Sequence, residues 1–170
     1  MLTQELIDGV TFIERTGKAM SKGIDTSFSV SPIKKFTLQS DFVWNSAKYL
    51  VFRSVANGVE VDRSGNRLPR TPTVQWSVTP IVRLGPVTGS ISFRTRGPSW
   101  SDNNNTQRLQ QLTILNSNIS INMAKGFRVT LSAKNLTDEL VFNRGGIVSG
   151  ATTGRVGLPR NYSVQITRKM

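Results

Sequence analysis

From Leu112 to Leu140 apolar and polar residues alternate with a period of two on both sides of a turn at Lys125-Gly126. On the first limb Leu115, Ile119, Ile121 and Met123 fall on one side, and Asn116, Asn118, Ser120 and Asn122 on the other. On the second limb Phe127, Val129, Leu131 and Ala133 oppose Arg128, Thr130, Ser132 and Lys134. Successive side chains of a β-strand point to opposite faces, so the pattern predicts an antiparallel hairpin with one apolar and one polar wall.

The same period recurs elsewhere. Leu2 to Ile7 reads as the end of a strand before an Asp8-Gly9 turn. Ile24, Thr26, Phe28 and Val30 alternate with Asp25, Ser27, Ser29 and Ser31, and Pro32 closes that strand. Phe36, Leu38, Phe42 and Trp44 oppose Thr37, Gln39, Asp41 and Asn45 in a long strand reaching Phe52. Val74, Trp76, Val78 and Val82 oppose Gln75, Ser77, Thr79 and Arg83; Val87, Ile91 and Phe93 oppose Thr88, Ser90, Ser92, Arg94 and Arg96. At the end Tyr162, Val164 and Ile166 oppose Ser163, Gln165 and Thr167. Helical periodicity is hard to find. The reading is all-β: an antiparallel up-and-down meander of seven long strands with a short eighth at the front.

The connections alternate in length. Tight turns fall near Pro32, Gly85 and Gly126, and long polar stretches span 53–69, 97–108 and 143–153, with Asn57-Gly58, Ser64-Gly65, Gly145-Gly146 and Gly150 as turn signals. A transmembrane barrel requires this order, because its short turns lie on one side of the membrane and its long loops on the other. A Greek-key sandwich does not. Most segments reach the roughly 9 to 11 residues that cross a bilayer as tilted strands. Trp44, Tyr49, Trp76 and Tyr162 sit toward strand ends or within the apolar sets, where interfacial girdles lie. The expectation is a partial transmembrane β-barrel, with Phe28, Trp44, Val78, Phe93, Ile121 and Leu131 against hydrocarbon and the polar wall against a water-filled lumen.

Composition narrows the chemistry. The 170 residues contain neither Cys nor His, which removes disulfides, thiolate metal sites and the usual nucleophile-base pairs. No catalytic residue, metal site or cofactor is expected. The net charge of +12 is scattered along the chain. A β-protein binding nucleic acid would gather arginine and exposed aromatics on one face; here the aromatics share the apolar side, so nucleic acid is not an expected partner. The polar wall leans basic through Arg83, Arg94, Arg96, Arg128 and Lys134, with Asp25 and Asp41 as the acids. Either it attracts anionic solutes, or its charges pair with carboxylates of neighbouring elements. Arg53, Arg63, Arg67 and Arg108 lie in the long loops, where solvent or lipopolysaccharide phosphates are their alternatives.

Other motifs have plain readings. GATTGRVG at 150–157 lacks the Gly-Lys-Ser/Thr ending of a phosphate loop and precedes a strand. Asn104, Asn118, Asn135 and Asn161 complete glycosylation triplets by composition alone. Asp138 and Glu139 have no second acid placed opposite them. The first residues, with Glu5 and Asp8, lack the basic and apolar regions of a signal peptide, so either the protein is cytoplasmic or Met1 is not the start of its precursor.

Several motifs, taken in order, resemble TonB-dependent outer-membrane receptors. GKAMSKGID from Gly17 resembles the start of a barrel strand in that family. The Leu68, Pro69, Arg70, Thr71, Pro72 run resembles the motif opening a later strand. Asn135, Leu136, Thr137, Asp138 and Glu139, followed by Gly154, Arg155, Gly157, Pro159 and Arg160 of GRVGLPRNY, resemble its last strand pair. The resemblance implies the C-terminal barrel portion, residues 1–170, of an active-transport receptor for scarce solutes of the siderophore, vitamin or glycan class, with about eight of the family's 22 strands. It implies as partners the outer-membrane lipid and lipopolysaccharide, the remaining strands and plug, TonB through an N-terminal part not in this sequence, and a small solute such as a metal chelate. The chain departs from the family in ending on Met170 rather than an aromatic residue, and in Arg168 at an apolar position. The alternative is a self-contained eight-stranded outer-membrane barrel, an anchor or adhesin, whose N-terminal residues pair with the Tyr162 strand.

Overall fold

Alternating residues leave each strand with one apolar side, and neighbouring strands in register join those sides into continuous rows. In the computed structural model, which describes residues 2–7, 10–15, 17–56, 59–148 and 151–168, the strands are β1 (Leu2–Ile7), β2 (Val10–Arg15), β3 (Gly17–Ile33), β4 (Phe36–Ala56), β5 (Val59–Asp62), β6 (Val74–Leu84), β7 (Val87–Arg96), β8 (Ser99–Trp100), β9 (Arg108–Leu109), β10 (Leu112–Asn122), β11 (Phe127–Lys134), β12 (Phe142–Val148), β13 (Ala151–Val156) and β14 (Asn161–Arg168). The turn signals Asp8-Gly9 and Asn57-Gly58, together with Gly150 and Met170, lie outside the described residues.

One antiparallel sheet runs β14-β11-β10-β7-β6-β4-β3, with β5 added to β4. Read from β3, neighbours follow chain order to β14, with only the strands of the connections skipped, which is the expected meander of seven long strands. Val78 pairs with Phe93, Phe93 with Leu115, Ile119 with Leu131, and Leu131 with Val164, so the apolar positions of five strands share one face. No second layer covers that face among the described residues. Phe28 keeps 54% of its surface exposed, Phe93 41% and Leu131 45%, and Trp44 and Val78 are half-buried. A soluble sandwich buries such rows; this sheet leaves them bare.

The two ends of the sheet differ. Lys34-Lys35, Gly85-Pro86 and 123–126 turn the chain at one rim, the last through Lys125 and Gly126 in the left-handed region at φ 58° and 75°. Residues 57–73, 97–111 and 135–160 make the connections at the other. Each connection expected to be a plain loop carries strand structure: β5 lies within 53–69, the β8-β9 hairpin across 97–109, and the β12-β13 hairpin across 142–156. β1 and β2 form their own hairpin, and Val10–Arg15 was not among the expected strands.

Two expectations are corrected. Pro32 does not close its strand: β3 continues to Ile33, and the register shifts between Val30 and Ile33, a bulge that absorbs a residue with no N–H to donate. Tyr49 is not a girdle residue. A second shift lets Ala19 pair with Tyr49 but Lys18 with Val51, inserting one residue into β4 and reversing its parity. Tyr49 keeps the parity of Asp41 and Asn45, and the inserted residue puts Phe52 on that same polar side, where the two tilted rings lie 4.6 Å apart and buried, while Leu50 and Val51 are exposed on the other.

Candidate functional site

The polar face is stitched by cross-strand pairs. Ser27 and Ser77 each donate a hydroxyl to Asp41, at 2.8 and 2.7 Å, tying β3, β4 and β6 through one carboxylate. Thr79 donates to Ser92 at 3.0 Å, and Ser120 pairs with Thr130 at 3.0 Å. All seven residues expected on this wall lie on it: Asp25 opposite Val43, Asp41 opposite Ser77, Arg83 opposite Thr88, Arg94 opposite Ser77, Arg96 opposite Gln75, Arg128 opposite Asn122 and Lys134 opposite Asn161.

The structure brings together three of the seven. Asp41, Arg94 and Arg96 line a cleft of about 450 Å³ with Gln75 and Ser77. Arg83 and Arg128 stand toward the short-turn rim and spend their guanidinium groups on neutral oxygens, Thr37 Oγ1 at 2.7 Å and Asn122 Oδ1 at 2.7 Å. Asp25 lies on the end strand β3 and Lys134 at the loop end of β11. The cleft also has an apolar side that the alternation did not indicate: Val43, Leu112 and Ile114 occupy polar-wall positions, and Val141 comes back from the last connection, buried beside them. The run Leu112, Ile114, Leu115 breaks strict alternation, which is the signal by which sequence could have found it.

Above the sheet, two connections interlock. Asn105 accepts from the Arg67 amide through Oδ1 at 2.8 Å and donates Nδ2 to the Arg67 carbonyl at 2.9 Å, a side chain doing what a strand neighbour would do. The Tyr49 hydroxyl donates to Asn103 at 2.8 Å, Asn66 donates to the Asn103 carbonyl, and Arg63, lying over the Phe52 ring, donates to Asn104. Asp102 folds the tip of the second connection by accepting from the Gln107, Thr106 and Asn104 amides and the Thr106 hydroxyl. Partial burial pushes its carboxyl up, and those donors together outweigh it, holding the pKa below the usual carboxylate value.

The motif residues are structural. Leu68 donates its amide to the Ala47 carbonyl, Thr71 bonds the Pro69 carbonyl, Arg70 at φ 57° donates its amide to Trp100, and Pro72 is buried. Asn135, at φ 53° and 3% exposed, takes the Glu139 amide on Oδ1 and donates Nδ2 to the carbonyls of Glu139 and Leu158. Leu136 donates to the Leu115 carbonyl; Asp138, at φ 56°, accepts the Arg160 amide at 2.9 Å and pairs with its guanidinium at 3.7 Å. Gly157 donates to the Val141 carbonyl. Thr137, Pro159 and the strand residues Gly154 and Arg155 complete these turns and the β12-β13 hairpin. The Arg168 guanidinium lies over the Phe127 ring, 5.4 Å from its centre, at the short-turn rim.

Antiparallel strands of membrane-crossing length, an apolar face without cover, a polar face with its own hydrogen bonds, and short turns segregated from long connections define the wall of an outer-membrane barrel. The chain belongs to the TonB dependent receptor-like beta-barrel family, whose model matches residues 2–136. Its fold is similar to that of the ferric yersiniabactin uptake receptor FyuA from Yersinia pestis, at 15% identity and a TM-score of 0.77, over 91% of this chain and 24% of that one. It is also similar to the siderophore receptor PiuA from Acinetobacter baumannii, at 16% identity and a TM-score of 0.75 over 97% and 24% of the two chains. The ferric citrate transporter FecA matches at 15% identity and a TM-score of 0.73 over 88% and 24%. The chain thus spans about a quarter of the length of these receptors. No curated protein sequence matches it. The family is one of the bacterial outer membrane, and that is where this wall resides.

Proposed function

We propose that residues 1–170 are the C-terminal part of the barrel wall of a TonB-dependent active-transport receptor, with the plug and remaining strands supplied by the rest of the receptor and TonB engaged through its N-terminal part. The polar face lines the lumen, and the solute is a small anionic metal chelate of the siderophore type. The observation that carries this reading is the convergence of Arg94 and Arg96 beside Asp41 in one cleft of the polar face, in a sheet whose opposite face is apolar and bare. Two guanidinium groups against one carboxylate leave that wall positive, which draws anions towards it. The names of the similar receptors, which take up ferric chelates, support the class of solute.

The test is uptake by the whole receptor in iron-starved cells. Replacing Arg94 and Arg96 together by Gln is expected to lower uptake of anionic ferric chelates severalfold while the receptor's level in the membrane stays unchanged. Uptake that stays at the wild-type rate for every anionic chelate would remove the lumenal role from this cleft.

A further inference from the structure

Where the two interlocked connections meet, a second cleft of about 280 Å³ opens between the Leu68–Pro72 turn and the β8-β9 hairpin. It is lined by Arg67 and Arg108, by Thr71, Thr73 and Ser99, and by Trp100. We propose that this cleft is a binding site for a phosphorylated sugar, distinct from the lumenal cleft and independent of the transport reading.

Three features point to that ligand. The first is charge. The nearest acid in sequence, Asp102, is committed to the amides and hydroxyl of its own turn, and neither Arg67 nor Arg108 forms an ion pair among the described residues. Arg67 is held in place instead, its side chain donating to Thr73 Oγ1 and its backbone clasped by Asn105. The two guanidinium groups, with the hydroxyls of Thr73 and Ser99, match the several acceptor oxygens of a phosphomonoester, while Thr71 spends its hydroxyl hydrogen on the Pro69 carbonyl. The second is the indole. Trp100 pairs with Arg108 across the hairpin, so both side chains rise on one face, and the ring supplies an apolar wall beside the charge. A pyranose presents an apolar C–H face to such a ring and hydroxyls to the Thr and Ser side chains. The third is size. The cleft lies just below the roughly 300 Å³ at which drug-sized pockets begin, so it admits one sugar ring with its phosphate and excludes a bulky metal chelate.

The chemistry is shared by a free sugar phosphate and by the phosphorylated saccharide headgroup of an outer-leaflet glycolipid, and the experiment separates them. The whole receptor, purified in zwitterionic micelles, is titrated with glucose 1-phosphate while tryptophan emission and heat are followed. Saturable binding is expected, with glucose alone failing to saturate. Arg108→Gln weakens binding about tenfold or more, as loss of a charged hydrogen-bonding group does, and Arg108→Lys recovers only part because it lacks the fork. Trp100→Leu weakens glucose 1-phosphate but leaves inorganic phosphate unchanged, a readout that a merely structural role would not give. Competition from vesicles containing monophosphorylated lipid A names the membrane as the source; its absence names the soluble sugar phosphate. The site is refuted if the wild-type receptor, shown to be folded by its β-type circular dichroism and trypsin resistance, binds no glucose 1-phosphate. It is equally refuted if Arg108→Gln, equally folded, binds as well as wild type.

Discussion

Asn135 occupies a backbone conformation that costs an ordinary L-residue about 1–2 kcal/mol, and its amide group closes the turn against both Glu139 and Leu158. Asn135→Ala strands buried polar groups as well, so a loss of about 2–4 kcal/mol is expected in thermal or denaturant unfolding. Asn135→Gly, which keeps the positive φ, should lose less. Asp102 makes a pH prediction. Its folded pKa is depressed, so its contribution to loop docking is present above its unfolded value near 4 and is lost as pH falls through the lower folded value. Protection of the Thr106 and Gln107 amides from hydrogen exchange should therefore drop on going from about pH 5 to pH 3, and Asp102→Asn should remove that pH dependence. The polar-wall residues were legible from parity alone, since every one of the seven shares a face. Which of them become neighbours was not, because that depends on strand register, and only register places Arg94 and Arg96 beside Asp41.

At the scale of elements, period-two alternation located the strands because each has one side on hydrocarbon or bare apolar surface and the other on water. It failed where that contrast fades. Tyr49, Leu50, Val51 and Phe52 are apolar on both faces, so nothing in that run marked the inserted residue that turns Phe52 inward to join Tyr49. The two-residue strands β8 and β9 are too short to show any period, and the Asp102 and Asn105 side chains hold their hairpin in place. Close pairing of β3 with β4 is a further element-scale constraint. A Cβ built on Gly23 would stand 2.3 Å from the Trp44 carbonyl oxygen, so no side chain fits without parting the strands. Gly23→Ala is expected to cost about 1–3 kcal/mol, as overpacking does, and to lower the yield of folded chain; a yield and melting curve equal to wild type would contradict the close approach.

Over the whole molecule, one sheet separates two solvents, and equal substitutions on adjacent residues should report them. Leu131 and Ser132 are neighbours in β11 on opposite faces. Leu131→Arg should destabilise the bilayer-inserted wall by about 2–4 kcal/mol, the penalty for a cation at mid-membrane, while Ser132→Arg should change it little. Equal effects would mean that the apolar face does not meet lipid. The eight-stranded closed alternative finds no support in the pairing, since β1 joins β2 and neither joins β14 among the described residues. β3, 17 residues long, and β14, 8 residues long, instead end the sheet with no neighbour beyond them among those residues. Inside a bilayer, amides on such a margin have no water to turn to, and each left alone costs several kcal/mol. The insertion of this wall consequently depends on further strands meeting both margins, and removing such neighbours should leave it open to proteolysis.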